Sequence, residues 1–465
     1  MAQALTDDSV IVPVLPIREG LEGPLATTSA AQRRRLADDT TAWFARNQVN
    51  FGVSIEGQVV QRPIPYDPLP RVVDSVAWAW LEDALAQRVK ALDEFIRDVY
   101  GEARILRAGL VPPELVYGTA SWFRSCRGPA ALRPGQICIA GIDLVRVDGR
   151  WLVLEDNVRV PSGSSYALAA RRALANMAPE MLAGQRPRAV GEYPRRLLAA
   201  LDQRSSQEGL TVLLSPGPAN AAYYEHCELA RLMGIPVVTA ADLVASHRGC
   251  WLRSEGGNAP VARIYHRYSP EFLDPLGGRD DSLIGIPFLF AAWRQGRVVL
   301  ANAPTCGVAD DKRLFTYVPS LIRYYLGEQP MLEQPPTIEL DDVTRRRAVL
   351  RRFDEFVFKP VNGSGGKGIV FGPTANDEQR AAVQTALDEA PGAMVAQPVL
   401  EIERLPCVAQ DGGLEWRRCD LRAFVVMDAD PWVMPGGLTR VAPRTDGWLV
   451  NSSAGGGVKD TWVES

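Results

Sequence analysis

Residues 357–372, VFKPVNGSGGKGIVFG, constrain the chain more than any other stretch. Apolar and β-forming residues lead to Lys359. Gly363, Gly365, Gly366 and Gly368 then crowd into a short loop around Ser364, and Ile369-Val370-Phe371 resumes the apolar run. The pattern predicts a strand, a glycine-rich turn and a second strand, with one lysine at the mouth. Glycines let successive backbone N–H groups turn toward an anion without Cβ clashes. The lysine adds a point charge suited to phosphate. Gly363, Gly365 and Gly368 match G-x-G-x-x-G, but that pattern should open a helix, and a β-like run follows here. A Walker A loop needs Ser or Thr after its lysine, whereas Lys367 precedes Gly368. A protein-kinase glycine loop also lies between strands, yet neither H-R-D nor D-F-G occurs downstream. What remains is a hairpin flap over nucleotide phosphates, set against the plainer reading of a hairpin with a flexible tip.

Composition narrows the class. The 465 residues are 46% hydrophobic and 23% charged, as in a globular enzyme. A net charge of −4 without a basic run argues against a nucleic-acid partner. The seven cysteines (126, 138, 227, 250, 306, 407 and 419) form no C-x-x-C, and His226, His247 and His266 are the only histidines. Reduced thiols in a cytoplasmic protein fit this better than a zinc cluster or a Cys–His dyad. Neither a signal peptide nor a membrane-spanning run is visible.

Along the chain, residues 1–30 read as a flexible N-terminus and 31–134 as a largely helical lobe. Its long helix is capped by Asp74 or Ser75 and stopped by Gly101. Residues 135–205 hold a hairpin and a helix. Residues 206–300 contain a β-α-β unit, with strands near Thr211–Leu214 and Ile235–Val238 around a helix carrying His226. Residues 301–465 form the lobe with the glycine flap, entered through a helix that begins at Lys312.

The hairpin carries the second constellation. Asp148-Gly149 is a strong turn signal between Ile137–Val145 and Trp151–Asn157. Asp143 and Glu155 can then face each other across paired strands, and Glu155 and Asn157 share one strand face. Two carboxylates and an amide oxygen are hard ligands that Mg²⁺ accepts, with phosphates completing its shell. A polar strand surface is the plainer reading of Glu-x-Asn taken alone.

The pair GID and LEDN, with its acids twelve positions apart, resembles the metal-binding hairpin of ATP-grasp ligases. It lies some 200 residues before the lysine–glycine loop, the inverse of the usual order. That inversion resembles the circularly permuted ATP-grasp proteins, a family that includes glutathionylspermidine synthetase-like enzymes and uncharacterised bacterial members. IAGIDLVR, VLEDNVRVPSGSSY, SPGPANAAYYEH, GVADDKRLFTYVPSLIRYYLG, FKPVNGSGGKGI, PGGLTRVA and NSSAGGGVKDTWV carry the likeness over nearly the whole chain from about residue 50.

The resemblance implies an α+β / α/β, circularly permuted ATP-grasp fold with a helical N-terminal lobe and a β-α-β subdomain. It implies Mg²⁺ on Asp143, Glu155 and Asn157, and ATP phosphates on Lys312 and Lys359. Gly363, Ser364, Gly365, Gly366 and Gly368 would form the flap, and Gln397 would sit at the adenine hinge. Many relatives carry Arg two residues before the first metal carboxylate, where this chain has Gly141. The charge at the reaction centre would then come from Arg159, Arg422 or Arg440. Ser162 and Gly163, and Ser215 and Gly217, are candidate substrate contacts. The implied activity is ATP-dependent carboxylate–amine ligation through an acyl phosphate, on small-molecule or peptide acids and amines. A small-molecule kinase and a nucleotide-binding partner protein are the alternatives. Oligomeric state and substrate identity stay open.

Overall fold

The computed structural model describes residues 28–55, 58–361, 368–428, 430–450 and 455–465. Residues 1–27, and Gly363, Ser364, Gly365 and Gly366 of the flap, lie outside the described residues.

Helix α1 (Ala30–Arg46) opens with a capping box in which Ser29 and Gln32 bond reciprocally. Helix α2 (Ser75–Tyr100) is capped by Asp74, whose carboxylate accepts from Ala77 N–H at 2.8 Å, and ends at Gly101. Strands β1 (Ile139–Val147) and β2 (Arg150–Asn157) form an antiparallel hairpin. Asp148 (φ 47°) and Gly149 (φ 77°) both take the left-handed region that a two-residue hairpin turn demands. Helix α3 (Ser164–Met177) follows. The β-α-β unit is β3 (Leu210–Leu214), α4 (Tyr223–Met233) and the parallel strand Val237–Val238. Strand β4 (Ala259–His266) lies parallel to β3 on its other side.

The helix expected at Lys312 starts later. Leu314–Tyr317 is a 3₁₀ turn and the α-helix is Val318–Leu326, closed by Gly327 at φ 68°. The reason is that Asp310 caps another segment, accepting from the backbone N–H groups of Val158 and Arg159, while Asp311 accepts from Arg313 N–H.

The flap lobe is the antiparallel set β5 (Phe356–Pro360), β6 (Val370–Phe371) and β7 (Met394–Pro398). Its core is Phe353, Phe356, Phe358, Val383, Leu387, Met394 and Ala396. Alternation then sends Val357, Lys359, Val395 and Gln397 to the opposite face. Strands β8 (Leu414–Val426) and β9 (Leu438–Val441) complete the central sheet, in which β8 lies between β1 and β9.

The central sheet is two-faced. Ala140, Ile142 and Leu144 of β1 and Leu421, Ala423 and Val425 of β8 enter the core that α2 packs against. On the other face, Ile139, Phe424 and Val426 pack with Tyr166, Ala170 and Ala173 of α3. That face continues as polar residues: Asp143 pairs in register with Glu155 and with Arg422, Gly141 with Asn157, and Asp420 with Arg440. No helix among the described residues is long and apolar enough to cross a membrane. All seven cysteines are free thiols.

Candidate functional site

The polar face of the central sheet and the cavity-facing side of β5 and β7 enclose a space of about 1040 Å³. Its wall includes Asp143, Glu155, Asn157, Arg159, Ser162, Gly163, Lys312, Lys359, Gln397, Arg422 and Arg440. Residues far apart in sequence thus meet in one cavity.

Asp143 is buried and fully engaged. Arg422 forks it, Nε to Oδ1 at 2.6 Å and Nη2 to Oδ2 at 2.8 Å, and Arg440 Nη2 reaches Oδ2 at 2.8 Å. Burial alone would raise the carboxyl's pKa, but the two guanidinium groups hold it at about 2. Arg440 also forks Asp420 at 2.9 and 2.6 Å, and Arg422 donates to the Ser162 carbonyl at 3.0 Å. Asp420 was not foreseen. Its signal is the alternation Arg418-x-Asp420-x-Arg422, which reads as one polar strand face.

Gly141 explains how Arg422 takes its place. A Cβ at 141 would meet Arg422 Cδ at 3.3 Å and Pro161 Cβ at 3.0 Å. The arginine stem from the neighbouring strand therefore fills the space that a side chain two residues before Asp143 would occupy. Arg159 is committed elsewhere, its Nε on Asp310 at 3.0 Å.

The lysines differ. Lys312 Nζ stands 3.1 Å from Glu155 Oε1. Lys359 stands half-buried in the cavity, where desolvation lowers its pKa to about 8 against the opposing pull of Glu155. Gln397 is buried and donates to Thr337 Oγ1 at 2.8 Å.

The donor set suits Mg²⁺ in its chemistry. Glu155 and Asn157 project from one strand face into the cavity, and one buried amide atom of Asn157 (Nδ2) has no partner among the described residues. That nitrogen is a donor and not a metal ligand; a hard cation would use the amide oxygen of Asn157 beside the Glu155 carboxylate. Asp143 is nearby, but both its oxygens already serve arginines.

The remaining candidates divide. Ser162 and Gly163 line the cavity, but their polar groups are spent internally: Ser162 Oγ accepts from Arg267 at 2.7 Å and Gly163 N–H donates to Glu225 at 2.7 Å. Gly163 (φ 122°) packs so tightly that a Cβ would come within 2.9 Å of Leu438. Ser215 and Gly217 do not reach the wall. Ser215 Oγ is buried 2.9 Å from His226 Nδ1 and also accepts from Gly217 N–H, so this turn is closed on itself. Burial pushes His226 down to about 2, which keeps the ring neutral.

Comparison with known proteins places this geometry. An uncharacterised protein of Mycobacterium leprae is 42% identical over 453 residues, covering 96% of this chain and 79% of its own length. A Frankia alni protein provisionally named a glutamate–cysteine ligase is 40% identical over 90% of this chain, which spans 49% of that longer protein. A glutathione synthetase-like effector from Globodera pallida shares the fold, with a TM-score of 0.56 at 10% identity over 94% of this chain and 98% of its own. The profile of the circularly permuted ATP-grasp type 2 proteins matches residues 70–442, and the chain belongs to that family.

Proposed function

We propose that this protein is an ATP-dependent carboxylate–amine ligase. The observation that carries the reading is the convergence of Lys312, Lys359, Glu155, Asn157 and the Arg422–Asp143–Arg440 cluster on one cavity. Val357, Val395 and Gln397 would hold the adenine of ATP, and Lys359 and Lys312 would meet its phosphates. Glu155 and Asn157 would hold Mg²⁺, which when bound neutralises phosphate charge.

A substrate carboxylate oxygen attacks the γ-phosphorus, and the bond to the bridging oxygen of ADP breaks. An amine nitrogen then attacks the acyl carbon, inorganic phosphate leaves, and the nitrogen loses a proton. Phosphoryl transfer of this kind depends on positioning and charge rather than covalent chemistry by the protein. Arg422 and Arg440 are braced by Asp143 and Asp420, so their charge is fixed before the reaction begins. The provisional name of the Frankia relative is in keeping with acid–amine joining, although that protein is twice as long.

Purified protein with Mg²⁺-ATP and a library of acids and amines should release ADP and form an amide detectable by mass spectrometry. Lys359→Met should lose on the order of 100-fold in rate, as when one preorganised charge donor is removed. A stable phosphorylated product formed without amine would make the protein a kinase instead. No ADP under any combination would refute the ligase reading.

A further inference from the structure

The cavity extends well beyond the nucleotide region. Its lining also includes, as one arm, Thr119, Ser121, Arg124 and Ser125 together with Glu271 and Gly277. Ser125 Oγ donates to the Gly277 carbonyl at 2.8 Å, and Arg279 N–H donates to the Glu271 carbonyl at 2.7 Å. A Cβ at Gly278 would meet that same carbonyl at 2.4 Å. The two segments are therefore stitched into one closely packed wall.

The charges on the cavity wall are almost all paired. Asp143 and Asp420 meet arginines, Glu155 meets Lys312, Asp310 meets Arg159, Asp311 meets Arg313, and Arg279 meets Asp281. Among the described residues, the wall charges without an ion pair or side-chain hydrogen bond are Lys359, Arg124 and Glu271. Lys359 has a role at the phosphates. Arg124 and Glu271 have opposite sign and sit in the stitched arm.

We propose that this arm is a recognition site for the head group of a free α-amino acid, with Arg124 binding its carboxylate and Glu271 its ammonium. An arginine is suited to a carboxylate because its planar fork donates two parallel N–H bonds. Opposed single charges reject ligands that lack either group, because one wall charge would then be left unpaired. The inference rests on the ligase reading, for which it supplies one substrate class. Arg124 and Glu271 are specificity residues at the substrate's non-reacting end.

The test uses the full chain saturated with a non-hydrolysable ATP analogue and Mg²⁺. Each proteinogenic L-amino acid is titrated calorimetrically, and the tightest binder is compared with its N-acetyl and α-carboxamide forms. Each blocked form should bind about tenfold more weakly or worse, the cost of one lost charge-assisted contact. Arg124→Ala should bring the free amino acid down to the affinity of its carboxamide, and Arg124→Lys should recover part of the loss. Glu271→Gln should bring it down to the N-acetyl form. All three variants should bind the ATP analogue as the wild type does. If no amino acid binds the nucleotide-loaded wild type, or if blocked and free forms bind alike, the proposal is overturned while the nucleotide site stands. If the ATP analogue itself fails to bind, the ligase reading falls first and takes this inference with it.

Discussion

Lys359 is held between two tendencies. Desolvation favours the neutral amine, and the carboxylate of Glu155 favours the ammonium; desolvation prevails, leaving the pKa at about 8. Phosphate needs the charged form. ATP-analogue affinity should therefore stay level at neutral pH and fall as the pH rises through about 8. Lys359→Arg should remove that inflection, because a guanidinium does not deprotonate in this range. Folding should respond the other way. Between about 8 and the ordinary lysine value near 10.4, the unfolded chain holds a proton that the folded chain has released, so this group's contribution to stability rises with pH. Affinity titrations and urea unfolding across that window check both signs, and an affinity that does not change through pH 9 would refute the phosphate role. The two strands that flank the glycine loop were legible from sequence because their apolar runs are local signals. The choice among Arg159, Arg422 and Arg440 was not legible. A sequence shows three cations, but not that Asp310 takes the first while Asp143 gathers the other two.

The β1–β2 hairpin was legible as an element from its Asp-Gly turn, but the register shift between Asp143 and Leu144, which sets Asp143 opposite Glu155, was not. Nor was what holds it in place. Asp156, between Glu155 and Asn157, must point to the opposite face, where Arg88 of α2 forks it at 2.7 Å on both oxygens. Helix α2 thus clamps the back of the candidate metal strand through a pair that is almost wholly buried. Removing one partner strands a charge in a dry interior, so Arg88→Ala should cost about 3–5 kcal/mol. Replacing both, Arg88→Met with Asp156→Leu, should recover most of that stability. Urea denaturation of the single and double variants measures the difference. Equal losses in the two would mean that the charge pair is not what holds the strand. Helix α1 escaped the sequence reading for the converse reason: only Thr40 and Phe44 are buried along its seventeen residues, so its apolar periodicity is faint.

At the scale of the molecule, the chain's inverted order is reconciled in space. The acidic hairpin and the lysine strand lie some 200 residues apart, yet they form opposite walls of one cavity. The family motifs made that meeting foreseeable. The pairing of nearly every wall charge within the protein was not, because it depends on strand register and on arginines crossing between strands. The two walls also belong to different cores: Lys359 stands above the flap-lobe cluster around Phe356 and Phe358, and Glu155 stands on the central sheet. A nucleotide that bridges them couples two packing units, whereas one held by the flap lobe alone leaves the central sheet unaffected. Hydrogen exchange with and without a Mg²⁺-ATP analogue separates these cases. Bridging predicts slowed exchange in β5 and β7 and, in the same experiment, in β2 and the Asp420–Arg422 segment of β8. It also predicts a single thermal transition that rises with ligand concentration, by about 2.7 kcal/mol at a hundredfold excess over Kd. Protection confined to residues 338–398 would put the phosphates out of reach of Glu155 and Asn157. The hairpin would then be a structural brace, and the chemistry would have to be sought within the flap lobe.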